Sequence, residues 1–217
     1  MREGLTRMWG KWIGCEVPED GRERFSDAQR AWAAIGDQPG LIGQVGGWEG
    51  GYARVLGLWA DEEAYGRFMR ERHDAVVAAS GQGGTYTAIE AGTGAVLLEM
   101  AGNAADLRGA LGTAALLRVA DCRLRPGRAA HFMDVQREVW APGMAAAGGM
   151  LGGVVTRLDP QRYLVTTLWS DAAAHEQYAA EHLPALHERA AVTDDVHALT
   201  GHRLALEPAW TVPPVDE

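Results

Sequence analysis

Apolar and polar residues alternate from Tyr52 to the run Val55-Leu56-Gly57-Leu58-Trp59, and Ala60-Asp61-Glu62-Glu63-Ala64-Tyr65 follows at once. The period-two run predicts a strand, and Asp61 supplies the N-cap oxygen of an amphipathic helix. The same arrangement returns as Val165-Thr166-Thr167-Leu168-Trp169-Ser170-Asp171, 110 positions further on. A Trp is thus expected twice at the place where the end of a sheet meets its covering helix.

The elements around each copy follow the same order. In the first, the pattern predicts a strand at 9–17, a turn at Pro18-Glu19-Asp20-Gly21 and a helix at 22–35 with Phe25, Ala28, Trp32 and Ile35 on one face. A hairpin of 41–48 and 52–59 around Glu49-Gly50-Gly51 comes next, then one helix over 61–79 and a strand near 85–91. The second copy gives a strand at 116–124, a helix at 129–139 and a hairpin of 150–158 and 163–169 around Asp159-Pro160. A helix at 171–181, a break at Pro184, a short helix at 184–190 and a last strand at 198–206 complete it. One more strand is expected at 95–100, and the tail 207–217, with Pro208, Pro213 and Pro214, is expected to be irregular.

Strand, helix, strand, strand, helix, strand is a ferredoxin-like α+β unit. Cys15 and Cys122, Phe25 and Phe132, and Gln29 and Gln136 all share a spacing of 107 residues. The expectation is therefore a tandem of ferredoxin-like repeats, 1–100 and 115–217, joined by an Ala/Gly-rich linker at 101–114. Each antiparallel sheet has one bare face, so the two sheets are expected to pack into a dimeric-α+β-barrel-type arrangement within one chain.

Composition narrows the function classes. The 217 residues carry a net charge of −9, with no dense basic stripe, which argues against nucleic acid. No apolar run is long enough to span a membrane and Met1-Arg2-Glu3-Gly4 begins no signal peptide, so a cytoplasmic protein is expected. Of 20 basic residues 19 are Arg and only Lys11 is Lys, a skew that reads as codon bias. Cys15 and Cys122 are expected to be buried thiols rather than a disulfide.

The Trp-x-Asp/Ser start of the second helix in each copy, and Glu181-His182-Leu183-Pro184-Ala185-Leu186, resemble the antibiotic biosynthesis monooxygenase-like superfamily of dimeric α+β barrels. With its Lys11-Trp12-Ile13-Gly14-Cys15 opening and Glu207-Pro208-Ala209-Trp210-Thr211-Val212 ending, the whole chain is similar to the tandem YdbC-like proteins. That resemblance implies either cofactor-independent oxygenation of phenols and anthrones, or haem binding. Both kinds of member use the junction Trp, here Trp59 and Trp169, and commonly an Asn, whereas the only Asn in this chain is Asn103. At the haem-ligating His position stand Met69 and Ala179.

A cofactor-free oxygenase needs an apolar pocket for a flat substrate and a base near neutral pH, a role for which imidazole is suited. His73 and His182 are the candidate bases, with Trp59 and Trp169 orienting the ring. Trp32, Trp48 and Met69 in the first copy, and Trp140, Tyr163 and His175 in the second, are the candidate walls. On the alternative reading these aromatics fill two cores, His73 is solvated or caps a helix, and His182 sits on a helix C-terminal dipole. No metal site is expected, because His175, His182 and His187 lack a carboxylate or thiol at a recognised spacing. The glycines at 46–51 suit a turn, not a phosphate cradle, and no serine lies in a nucleophile pattern.

The leading expectation is a small oxygenase acting on an aromatic, polyketide-like substrate without a bound cofactor, with haem or reduced flavin as the cofactors left open. The alternatives are a non-catalytic or stress-associated protein that binds a small aromatic or apolar ligand, and a haem protein with a displaced His. It is expected to act as a monomer with an internal pseudo-dimer or as a homodimer, and to engage neither nucleic acid nor membrane.

Overall fold

The computed structural model describes residues 7–213. The signal-peptide reading of Met1-Arg2-Glu3-Gly4 and the expectation for Pro214 fall outside that range. The chain forms two compact units, one holding the chain up to Ala95 together with the stretch from Leu206, the other holding Val96–Ala205.

The first unit begins with β1 (Trp9–Glu16), α1 (Arg22–Arg30) continued by a 3-10 turn at Ala31–Ile35, and the hairpin β2 (Leu41–Glu49) and β3 (Tyr52–Trp59). Gly50, at the hairpin tip, has φ of 56°, a left-handed conformation that glycine adopts without steric cost. Then come α2 (Glu62–Glu71), α3 (His73–Ser80) and β4 (Ala88–Ala101). β3 pairs antiparallel with both β1 and β2, and β1 also pairs with β4, which is the ferredoxin-like split βαβ order. Asp61 caps α2 by accepting the Ala64 N–H at 2.7 Å, as the sequence implied.

Three expectations for this unit are corrected. The helix over 61–79 is broken at Arg72 (φ −129°, ψ −33°), so α2 and α3 are separate. The two short strands at 85–91 and 95–100 are one strand, β4. The described part of the tail, 207–213, forms a 3-10 turn at Pro208–Trp210 and a bridge to β2. Gln44 and Val212 exchange backbone hydrogen bonds at 3.0 and 2.8 Å, and Trp210 is buried against Phe25 and Trp48. Trp210 needs Gly46 beneath it, since a Cβ there would lie 3.0 Å from the indole.

The second unit runs α4 (Leu107–Thr113), β5 (Leu116–Leu124), α5 (Ala129–Val135), a π-helical turn at Gln136–Trp140, α6 (Ala141–Ala145) and the hairpin β6 (Met150–Asp159) and β7 (Arg162–Trp169). It closes with α7 (Ala172–Glu181), α8 (Leu183–Ala190), α9 (Val192–Asp195) and β8 (Val196–Leu206). β7 pairs with β5 and β6, and β5 with β8, the order found in the first unit. The second half of the stretch expected to be a linker is thus helical, with Asp106 capping α4 through the Gly109 N–H at 2.7 Å. Ala110 and Leu111 are buried, so α4 packs on this unit and does not merely join two others. The division by contacts also places the residues from Leu206 with the first unit, apart from the repeat they follow in sequence.

Candidate functional site

The helix-covered face of the first sheet is set by strand alternation. On β1 it carries Lys11, Ile13 and Cys15, which are joined by residues of α1, α2 and α3 around a cavity of about 300 Å³. An apolar cavity of about 150 Å³ accommodates one benzene, so this one has room for two or three fused rings. Trp32, Tyr65, Met69 and His73 form its aromatic and thioether wall. Gln29, Gln44 and Gln82 add amides to the lining.

Those amides fix the wall. Trp32 Nε1 donates to Gln82 Oε1 at 2.9 Å, and Gln82 Nε2 donates to Gln29 Oε1 at 2.7 Å, all within buried surroundings. Gln44 is different: it is only 7% exposed, and its Nε2 has no hydrogen-bond partner. His73 Nδ1 lies 3.0 Å from Asp74 Oδ1, and its ring meets Phe68 edge-on and Trp32 at 5.8 Å. With Nδ1–H directed to Asp74, Nε2 is left with the lone pair that a base requires.

Lys11 is the residue that sequence reasoning missed. Its ammonium stands 5.9 Å from the Trp32 ring centre and 5.8 Å from that of Tyr65. Burial lowers its pKa to about 8, with Cys15 opposing the shift. The Cys15 thiol is pushed up to about 11, chiefly by burial, with Arg54 and Lys11 opposing. The signal lay in the alternation of Trp9, Lys11, Ile13 and Cys15, which puts the only lysine on an apolar helix-facing row.

Other expected walls are elsewhere. Trp59 is buried and stacked on Phe68 at 4.9 Å, behind the lining rather than in it. Trp48 packs on Phe25 and Trp210 at 5.6 and 5.2 Å, with the Arg22 guanidinium 4.3 Å above its ring, so it backs the lining residue Phe25 and is not itself on the cavity.

In the second unit the corresponding cavity is about 40 Å³, space for a little water only. Trp140 lines it, and the imidazole beside Trp140 is His187, at 5.2 Å, rather than His182. His182 instead stacks on Tyr178 at 6.2 Å. Trp169 is fully buried and donates from Nε1 to Thr167 Oγ1 at 3.0 Å, while Tyr163 packs on Phe132 at 5.3 Å. His175 meets Trp169 edge-on at 5.1 Å, and its Nδ1 is buried without a partner. Burial, Arg118 and Arg203 lower the His175 pKa below 6.5. Of the residues expected to form one pocket in this copy, the structure packs Trp169 against His175, with Tyr178 beside both, and leaves Trp140 apart on the cavity.

Haem does not fit the first cavity. A tetrapyrrole exceeds a space of about 300 Å³. Among the described residues no helix is long and apolar enough to cross a membrane.

Comparison with known proteins agrees with this architecture. Residues 10–93 match a domain of unknown function, DUF4937, and residues 116–189 match the antibiotic biosynthesis monooxygenase family. The chain resembles a Lactobacillus acidophilus NCFM protein provisionally assigned as a monooxygenase (TM-score 0.73, 12% identity, 96% of this chain and 97% of that one). A Fusobacterium nucleatum protein with the same assignment gives a TM-score of 0.74 at 9% identity over 93% of each chain. An anthrone oxidase-like protein gives 0.68 at 12% identity, over 94% of this chain and 92% of that one. At these identities the likeness is one of fold. The uncharacterised protein YdbC of Bacillus subtilis is 35% identical over 81 residues, which make up 35% of this chain and 68% of YdbC. The chain belongs to the YdbC family, and its second half carries an antibiotic biosynthesis monooxygenase domain.

Proposed function

We propose that the protein is a small oxygenase, acting without a bound cofactor on an aromatic, polyketide-like substrate held in the first-unit cavity. The observation that carries this reading is a space of about 300 Å³ walled by Trp32, Tyr65 and Met69, with one imidazole, His73, on its lining. His73 serves as base: Nε2 takes a proton from an acidic phenol or ring methylene, and the resulting electron-rich anion reacts with dioxygen. For an anthrone the balance is one anthrone and one dioxygen giving one anthraquinone and one water. Trp59 acts from behind the wall, through its stack on Phe68, as a positioning residue.

The test is oxygen uptake with anthrone as substrate, comparing the wild-type protein with His73→Ala and His182→Ala. Loss in His73→Ala with retention in His182→Ala supports the reading, and full activity in both removes the base. The second reading, ligand binding without turnover, draws on the lining itself, whose amides are Gln29, Gln44 and Gln82, with no asparagine among the described lining residues. It predicts binding of anthrone with no oxygen consumed.

A further inference from the structure

One row of the first sheet sets two cavity-lining residues, Lys11 and Gln44, on either side of a glycine. Lys11 on β1 is paired with Gly57 on β3, and Gly57 is paired with Gln44 on β2. Adjacent strands lie about 4.8 Å apart, which sets the Lys11 and Gln44 backbones roughly 10 Å from each other with no side chain between them. A Cβ built on Gly57 would make only ordinary contacts, with Trp59 Nε1 at 3.9 Å and Lys11 Cβ at 4.0 Å, so nothing crowds the glycine itself. Lys11 and Gln44 both line the cavity, and an atom resting above Gly57 is within reach of both side chains.

Both donors are short of partners. Among the described residues no carboxylate pairs with Lys11, and the two ring faces beside it stand near the outer limit of about 6 Å for a cation–π contact. The Gln44 amide nitrogen is buried and makes no hydrogen bond. Buried donors in native proteins are overwhelmingly satisfied, and exceptions point to a missing partner. The other titratable groups on the lining, Cys15, Tyr65, His73 and Tyr86, supply no fixed negative charge.

The second unit provides an internal comparison. Its row in the same register is Arg118, Thr167 and Gly153. The cation is kept, but a threonine stands where the first unit has the open glycine, and a glycine stands where it has the amide. There the cavity is about 40 Å³. A glycine between a cation and an amide occurs only in the first unit's row.

We propose that Lys11 and Gln44 are the ligand-binding pair of this cavity, selecting a planar ligand that carries an anionic oxygen for the ammonium and a second acceptor oxygen for the amide. Carboxylates, phenolates and enolates of hydroxyaryl ketones share this chemistry. The pair rests on the oxygenase reading only in that both use the same cavity. Under that reading, Lys11 also holds the anion that His73 generates.

The experiment is equilibrium binding of 1-hydroxy-2-naphthoate and of its methyl ester, a neutral analogue larger by one methyl, to the full chain and to Lys11→Met and Gln44→Met. Removing a lone charge from an apolar wall does not threaten folding, and a thermal melt of each variant checks this. The naphthoate is expected to bind wild type about tenfold or more tighter than the ester, the scale of a charge-assisted hydrogen bond. Lys11→Met is expected to abolish that preference while leaving the ester within about twofold, and Gln44→Met to weaken both ligands severalfold. Equal binding of acid and ester, or a preference that survives Lys11→Met, overturns the pair and leaves the aromatic cavity standing. Binding of neither ligand to wild type overturns the pair and the aromatic cavity together.

Discussion

Trp32 and Gln82 stand fifty residues apart in sequence, yet the indole Nε1 donates to the amide Oε1 at 2.9 Å. Gln82 passes the connection on to Gln29 at 2.7 Å, so one glutamine ties α1 and the 3-10 turn that follows it to the loop leading into β4. Replacing Gln82 by Met leaves the Trp32 N–H and the Gln29 carbonyl buried without partners. The expected cost is about 1–3 kcal/mol of unfolding free energy, measured by urea denaturation. Adding Trp32→Phe should recover part of it, because the orphaned donor goes with the indole.

Alkaline stability should pass through a maximum near pH 9. Lys11 has its pKa lowered from 10.5 to about 8, so the unfolded chain binds more protons between those values, and this term raises stability with pH. Cys15 and Cys122 are raised from 9.0 to about 11 and about 12. There the folded chain keeps protons that the unfolded one has released, and stability falls from pH 9 upward. Two thiols outweigh one amine. Denaturation midpoints between pH 8 and 10 should rise slightly and then fall in wild type, and the fall should be absent in Cys15→Ala/Cys122→Ala.

Acid stability should depend on His175. Its pKa is lowered below 6.5 by burial and by Arg118 and Arg203, so the unfolded chain takes up the proton first. The stabilisation from a neutral His175 is complete above pH 6.5 and is lost as pH falls through the folded value. His175→Phe keeps a ring against Trp169 and removes the unpartnered Nδ1. The variant should lose less stability than wild type between pH 7 and 5, as read from the shift in urea midpoint.

How far the sequence carried these conclusions depended on the distance over which each feature is fixed. The Trp59 and Trp169 junctions, with Asp61 and Asp171 as caps, follow from neighbouring residues and were legible. The break at Arg72 was legible too, had the repeat been used: it lies 110 residues before His182, where Pro184 announces the same break. Trp48 was misplaced because its partner, Trp210, arrives from the far end of the chain and no local pattern marks it. Lys11 was set aside because a lone charge says nothing until the register places it opposite Gly57. In the second copy the aromatic residues were legible but not the filling of the cavity, which depends on which side chains meet across strands.

If the first-unit cavity is where anthrone reacts, filling the space between Lys11 and Gln44 stops the reaction. Anthrone-dependent oxygen uptake by Gly57→Leu tests this, with His187→Ala as the second-unit control. A Cβ at Gly57 meets only ordinary side-chain contacts, with Trp59 and Lys11, and the leucine is expected to take up the space between Lys11 and Gln44. The account predicts that the folded Gly57→Leu protein consumes oxygen no faster than anthrone alone while His187→Ala retains the wild-type rate. Wild-type uptake in Gly57→Leu, or its loss in His187→Ala, would contradict it.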